Sequence, residues 1–354
     1  RLPIGNLAVT EKESPPKATE EIDLSFNIDS REDSATLLND YDKDEPGSFT
    51  YSTTVRTFDS LGNEHTVKIN MAEARPVQAQ QQVTSLTTGD TISGVTVTAA
   101  HMAELAGYTA GDVISSGAFF SDLTDPVTGD SRIGSVVYNG PNDITLRFKS
   151  EFPEPDLVQI SGSATVAEID EIDANETYTF AIDSGEVPLA AAVVLEVGGI
   201  SIGTLGVGST ADQIGQAITA SEAKILDANP SVESVIYDNV NQEVVVTYKA
   251  EAGDITPAEA ISITETSGVA AGAPFEAAIV KNGDNSFEGV YRMYAYLNGS
   301  EQLDIGKELD PGETGTGTEP GPLLIKFNPS NGLLTGINGD QFSAGSVVPT
   351  ITIT

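Results

Sequence analysis

Residues 51–71 read YSTTVRTFDSLGNEHTVKINM, and no other stretch says as much about the fold. Val55, Thr57 and Phe58 alternate with polar residues ahead of Asp59-Ser60-Leu61-Gly62-Asn63, and Val67, Ile69 and Met71 alternate behind it. A period of two places every second side chain on one face of a strand. Gly62 and Asn63 are residue types that tolerate positive φ in hairpin turns. The stretch is expected to form two strands joined at Asp59–Asn63.

Short alternating runs of the same kind recur between glycine, proline, asparagine and aspartate. They are Ile22–Ile28 (IDLSFNI), Val95–Thr98, Val193–Val197 and Tyr291–Leu297 (YRMYAYL). Two segments carry helical patterning instead. Ala99–Ala106 (AAHMAELA) is short, and Thr210–Ala223 has Thr210 or Ser209 as N-cap, Asp212 in its first turn, and Ile214 and Ile218 four apart. The expected class is mainly β with minor helix.

An internal repeat is visible. Ser135-Val136-Val137-Tyr138 followed by Ile144–Glu151 (ITLRFKSE) matches Ser234-Val235-Ile236-Tyr237 followed by Val244–Glu251 (VVVTYKAE), about 99 to 100 residues on. The flanks agree. Gly94-Val95-Thr96-Val97 and a helix precede the first copy, as Gly199-Ile200-Ser201-Ile202 and a helix precede the second. Ile160-Ser161 follows one and Ile261-Ser262 the other. Each copy reads as strand, helix, hairpin and strand, so two tandem α+β modules are expected. Past Arg75-Pro76 a glutamine-rich step (Gln78, Gln80, Gln81, Gln82) leads away from the hairpin, and strand character of the earlier sort returns at 289–299. The expectation is a discontinuous antiparallel β domain, sandwich or barrel-like, made of 1–76 and 276–354. It is interrupted by a first α+β module at 77–165 and a second at 166–275. Glu308–Pro322 (ELDPGETGTGTEPGP) is a loop by composition.

The chain has 354 residues, 39% hydrophobic content and a net charge of −36. That length calls for more than one core. The charge repels nucleic acid and anionic lipid surfaces, so neither is expected as a partner. A solvated acidic surface is the plain reading, with cation binding as the alternative. There is no cysteine, which removes disulfides, thiolate nucleophiles and cysteine-type zinc sites. No apolar run has the roughly 20 residues of a membrane span. The first residue is Arg1, and the chain is read as processed or excised from a longer one.

Chemistry-bearing patterns are few. Gly199-Ile200-Ser201-Ile202-Gly203 matches a hydrolase elbow, but lies within an alternating run instead of a strand-to-helix turn. Asp40-Tyr41-Asp42-Lys43-Asp44-Glu45 opens like a calcium loop, yet Glu45 and Tyr51 stand where that loop needs glycine and glutamate. His65 and His101, the two histidines of the chain, read as exposed or edge polar residues, with no carboxylate or nucleophile placed beside them by sequence. Gly315–Gly321 is glycine-rich without the context of a phosphate loop. No residue is put forward as catalytic, cofactor-binding or metal-ligating, no cofactor is expected, and enzyme activity is not expected.

The hairpin also resembles a block of bacterial flagellar hook proteins, T-x-V-x-x-(Y/F)-D-S-x-G-N-x-H. Ser14–Thr19 leading into Ile22–Ile28 is similar to that family's opening strand, Gly289–Asn298 to the strand that pairs next, and Leu324–Asn328 with Gly332-Leu333-Leu334 to its L-x-F-x-x-x-G-x-L hairpin. The resemblance covers about 150 residues in two blocks. It implies the outer portion of a hook subunit, extracellular, in the curved tube that passes motor torque to the filament. Its partners would be other hook subunits, engaged mainly through terminal segments that are not seen here. An extracellular adhesin or surface-layer array binding a host or glycan ligand is the alternative, and a rod or hook-cap protein ranks below.

Overall fold

A computed structural model describes residues 17–20, 22, 37, 41–152, 155, 157–265, 275–276, 278–309, 317–338 and 340–341. The alternating stretch forms the expected hairpin. Strand β1 (Tyr51–Phe58) pairs antiparallel with β2 (Glu64–Glu73), setting Val55 opposite Val67, Thr53 opposite Ile69 and Tyr51 opposite Met71. Gly62 takes the left-handed turn position with φ 84°. Asn63 does not, and is held by Asp59 instead. Phe58 is out of phase with the buried face and stays 45% exposed. The run Ile22–Ile28 lies outside the described residues except for Ile22.

The chain then builds the first module. Its strands are β3 (Val77–Thr84), β4 (Thr91–Ile92) and β5 (Val95–Thr96), followed by helix α1 (Ala99–Leu105), β6 (Val113–Ile114) and helix α2 (Ala118–Leu123). After these come β7 (Ile133–Gly140), β8 (Asp143–Phe148), β9 (Ile160–Ser161), β10 (Thr165–Val166) and β11 (Asp170–Asp173). The second module repeats the plan with β12 (Thr177–Ala181), β13 (Val193–Val197), β14 (Ile200–Leu205), α3 (Ala211–Thr219), α4 (Glu222–Ala228), β15 (Val232–Asp238), β16 (Glu243–Tyr248), β17 (Ile263–Glu265) and β18 (Ile279–Lys281). The return is β19 (Val290–Leu297), β20 (Glu301–Gln302), β21 (Lys307–Glu308), β22 (Thr318–Glu319), β23 (Leu323–Phe327), β24 (Leu334–Ile337) and β25 (Asp340–Gln341).

The repeat is a repeat of structure. In both modules the hairpin carries the same register shift, between Ile133 and Ser135 in one and Val232 and Ser234 in the other. Both place a left-handed residue just before the second hairpin strand, Asn142 at φ 63° and Gln242 at φ 55°. The hairpin lies beside the module's first strand, and that strand beside its last. The order is β7-β8-β3-β11 in the first copy and β15-β16-β12-β18 in the second. A three-stranded sheet accompanies each, β5-β4-β9 and β14-β13-β17. Ile92 pairs with Ile160 and Val197 with Ile263. The counterpart of Ile160 is thus Ile263, two residues from the Ile261 that string matching selects.

Helices α1 and α3 start where the sequence places them. Thr98 and Thr210 each form a capping box with the residue three positions on, His101 and Gln213. Ala211, Ile214, Gly215 and Ile218 bury one face of α3. The helix expected to run to Ala223 ends at Thr219, and α4 begins at Glu222. The hydroxyl of Ser221 donates to the Ala217 carbonyl, the acceptor its own N–H would use if α3 continued, and that N–H turns to the Ile218 carbonyl instead; the Thr219 hydroxyl accepts the Tyr237 N–H. Helix α2 left no signal because Gly117 supplies no side-chain cap. Glu104 of α1 accepts the Phe119 N–H in its place.

Each module has its own apolar core. In the first, Val136, Ile144, Leu146 and Phe148 meet Leu105, Phe119 and Leu123. In the second, Val235, Val244, Val246 and Tyr248 meet Ile214, Ile218 and Ile225. Side chains of period-two strands packed against one helix layer account for both. Strand pairing crosses the boundaries expected from composition. Asp170–Asp173 belongs with β3 and Ile279–Lys281 with β12, because register, not the composition of the segment, decides where a strand sits.

The described residues form two compact units. One comprises those within 1–73, 291–308 and 317–354, and the other those within 74–290 and at 309. In the first unit a seven-stranded sheet runs β1-β2-β19-β23-β24-β25, with β20 paired to β19. Its end strands are not joined, and no sheet among the described residues closes on itself, so the barrel-like option falls. The fold is mainly β, with antiparallel sheets and four short α-helices among the described residues. Strand β19 is buried on both sides. Tyr291, Met293 and Ala295 join Val67, Ile69, Met71, Leu323 and Ile325, while Tyr294 and Tyr296 face Ala72, Tyr41 and Phe49. The ring of Tyr41 stacks on Tyr294 at 3.7 Å, and its hydroxyl accepts from the Asn70 amide at 2.8 Å. The Glu308–Pro322 stretch is not all loop, since Thr318–Glu319 pairs with Lys307–Glu308.

One difference between the modules is testable. The Tyr248 hydroxyl accepts the buried Ile261 N–H at 2.6 Å, a bond that Phe148 cannot offer in the first copy. Tyr248→Phe leaves that donor dry and should cost about 1–3 kcal/mol in denaturant unfolding followed on the second module.

Candidate functional site

The turn of the first hairpin is organised by one carboxylate. Asp59 accepts the N–H groups of Leu61 and Asn63, each at 2.8 Å, and the Asn63 side-chain amide at 2.7 Å. The Asn63 amide, then its backbone N–H, hold the Asp59 carboxyl down at about 2. His65 Nε2 lies 3.5 Å from Asp59 Oδ2, and its Nδ1 lies 3.4 Å from the Asn298 amide. A carboxylate therefore does stand beside His65, contrary to the sequence expectation, because the turn folds Asp59 back over the start of β2. It is an Asx-type turn with a histidine on its rim.

His101 overturns the expectation of an exposed residue. It is 4% exposed, lies at the third position of α1, and directs Nε2 to Asp122 of α2 at 3.1 Å. Its Nδ1 accepts the Thr98 N–H while Thr98 accepts the His101 N–H, so the ring closes a helix cap and joins two helices. Ser201 is exposed within strand β14, away from any helix start. In the acidic loop, Asp40 lies outside the described residues. Asp42 Oδ1 accepts the Asp44 N–H at 2.8 Å, Asp44 pairs with Lys43, and the Ser48 hydroxyl accepts the Asp42 N–H at 3.0 Å. These carboxylates close a turn on themselves. Among the described residues no group of three histidine, cysteine, aspartate or glutamate side chains is placed to hold a metal. Of the glycine-rich stretch, Gly315 and Thr316 lie outside the described residues, and Gly317–Gly321 flanks the two-residue strand β22.

A polar clamp that the sequence did not announce sits in the second unit. Asp284, on the segment leaving β18, accepts the Ser150 N–H at 2.7 Å and the Gln78 amide at 3.3 Å through Oδ2, and the Ser286 N–H at 2.8 Å through Oδ1. Its own N–H donates to the Ala174 carbonyl at 2.9 Å. Ser150 is fully buried and its hydroxyl accepts the Phe287 N–H at 3.2 Å. Close by, Glu176 is buried, accepts the Ile255 N–H, and has its carboxyl pushed up by burial. Gln78 and Ser150 come from the first module and Ala174 from the link to the second, so Asp284 ties the first module and that link to the return segment. Single polar residues in a Gly/Asn/Asp-rich run carry no period, and the clamp had no signal to read.

The contacts at Asp59, His101 and Asp284 hold turns, helices and segments in place. Against known families, residues 27–183 match a model described as the flagellar basal body protein FlaE D2 domain, of the flagellar hook protein family. The match takes in β1, β2, the whole first module and β12, which is less than half the chain. No curated protein matches.

Two outcomes are expected. The Asp59 carboxyl carbon should titrate by NMR with a midpoint near 2, well below the ordinary aspartate value of about 3.9. The lowered value means its contribution is complete above about 4 and lost as the pH falls through about 2, so the turn loosens in that window. Separately, Asp284→Ala strips acceptors from three donors, and should destabilise the second unit by about 2–4 kcal/mol in urea unfolding, with Asp284→Asn intermediate.

Proposed function

We propose that this chain is the outer portion of a flagellar hook subunit, an extracellular structural protein of the curved tube that passes motor torque to the filament. The observation that carries the reading is the match over residues 27–183 to a domain of that family, which takes in the D-S-x-G-N-x-H hairpin. Supporting it, β19 lies against β2 with Tyr294 opposite Asn70, and the β23–β24 hairpin follows in the order that the resemblance implies. Its partners are other copies of the subunit, engaged mainly through segments outside this sequence. It does no chemistry, binds no cofactor, and meets neither nucleic acid nor membrane.

In this reading, 74–290 is a two-module insert in the outer hook-type domain, divided near Ala174. Compact bodies joined by short connections suit a joint whose outer surfaces slide as the tube bends. The acidic surface keeps exposed domains apart except where contact is specific.

Immunogold electron microscopy on intact cells, with antibody raised against residues 1–354, tests the assignment. Gold confined to the short curved segment between cell body and filament is the expected result. Gold spread over the cell surface overturns it in favour of an adhesin. Light scattering on the purified chain should give a monomer, and a stable helical polymer formed by it alone would contradict this reading.

A further inference from the structure

The two modules differ where their first strands begin. Gln80 faces Arg147 and Thr177 faces Thr247 at equivalent rungs, so Ala79 and Glu176 occupy the same place in the two copies. Both are fully buried. The module's fold therefore has no need of a carboxyl there, yet the second copy carries one. Its Oε2 accepts the Ile255 N–H, and its Oε1 is buried without a hydrogen-bond partner. An orphaned oxygen costs little on a neutral acid and much on a carboxylate, whose charge is spread over both oxygens. Burial pushes the Glu176 carboxyl up, and the carboxylate of Asp254 pushes it further.

Glu176 sits where three segments meet. The turn at 253–256, which follows β16 and the short 3-10 helix Ala250–Ala252, lies against residues 282–285, which leave β18. A Cβ added to Gly283 would run into the Gly253 carbonyl, so the two main chains touch. The Asn282 amide donates to Asp254 Oδ1 at 3.1 Å, and the Asn285 amide to the Glu251 carbonyl at 3.2 Å. The Tyr178 hydroxyl donates to the Ile255 carbonyl at 3.0 Å, and the Gly283 N–H faces the Glu176 carboxyl. The titratable groups around that carboxyl are Asp254 on the turn, Tyr178 on β12, Tyr248 on β16 and Lys281 on β18. Lys281 gives its ammonium to the Asp173 and Asn175 carbonyls, and Arg147 of β8 stands near it. Along the same seam Glu288 is pushed up by burial and then by Glu251, a second pair of like charges.

We propose that Glu176 is a proton-operated latch: neutral, it pins the 253–256 turn of the second module against the return segment at 282–285, and ionised, it lets that turn go. Loss of the proton leaves a carboxylate with one orphaned oxygen beside Asp254 in a buried site, and opening the turn that covers it brings water to both oxygens. The turn gives way before the strands do. Asp254 and Ile255 are held by the side chains of Asn282, Tyr178 and Glu176, whereas β12, β16 and β18 are held by paired main chain.

The test is amide exchange on the full chain, corrected for the intrinsic rate at each pH. A carboxyl raised by folding contributes at low pH and loses that contribution as the pH rises. Protection at Ile255 and Gly283 should be greatest below about 4.3, the ordinary glutamate value, and fall about tenfold per pH unit above it until the folded midpoint is passed. Glu176→Gln keeps an acceptor for the Ile255 N–H and cannot ionise, so protection at both amides should lose this pH dependence. In the wild-type chain the Glu176 carboxyl carbon, followed by NMR, should titrate above about 4.3. A midpoint at or below that value overturns the proposal whether or not the glutamine variant folds, and so does an unchanged slope of protection in that variant. Loss of protection at Leu146 and Val246 in step with Ile255 would mean that the whole unit opens, and would overturn a local latch.

Discussion

The pairing of β2 with β19 is the constraint on which the rest depends. Seven residue pairs, from Tyr291 opposite Glu73 to Leu297 opposite Val67, join strands that lie far apart in sequence. The entropy of bringing such distant segments together grows slowly with the length between them, and falls further when the intervening chain has already folded into compact bodies. Both faces of β19 are buried, so a slip of one residue would exchange Met293 and Ala295 with Tyr294 and Tyr296 and empty both layers at once. The segment around Tyr41 and Phe49 is what makes the second layer, and the stacking of Tyr41 on Tyr294 fixes where it lies.

The duplicated modules show which features of a fold survive divergence. Main-chain devices are kept: the register shift in each hairpin, the left-handed residue ahead of its second strand, and the threonine cap of the first helix. The N–H of Lys149 donates to Arg132 as that of Lys249 donates to Ser231. Side chains that close local hydrogen bonds have changed freely, histidine for glutamine at the cap and phenylalanine for tyrosine in the core. The length of the helix–helix connection then decides whether a module's edge is covered by backbone or by side chains.

Much of this was legible in the residues. Alternation in YSTTVRTF and HTVKINM gave the hairpin, the matched ITLRFKSE and VVVTYKAE gave the duplication, and Thr210 with Ile214 and Ile218 gave a helix start and its buried face. What escaped reading depends on tertiary partners. Helix α2 begins at a glycine and borrows Glu104 from another helix. Short pairings such as Thr318–Glu319 are too brief for a period to register. A capping histidine such as His101 and a surface histidine look alike in sequence until Asp122 is placed beside one of them. The Asp284 clamp is legible only once three separate segments have been brought together.

The fork at which residues 74–290 leave the sheet of β1, β2 and β19 has a mechanical meaning. The insert departs after Glu73 and returns before Tyr291, neighbours across one rung, and the Ala74 N–H donates to the Val290 carbonyl at 2.9 Å just beyond it. A load applied to the insert therefore meets the hydrogen bonds between β2 and β19 from one end, a single rung at a time. Bonds taken in sequence yield at far lower force than bonds sheared together along a strand axis. A pull that parts residues 74 and 290 would open this fork like a zip, while the hairpin β1–β2, joined at its far end by the Asp59 turn, would remain closed.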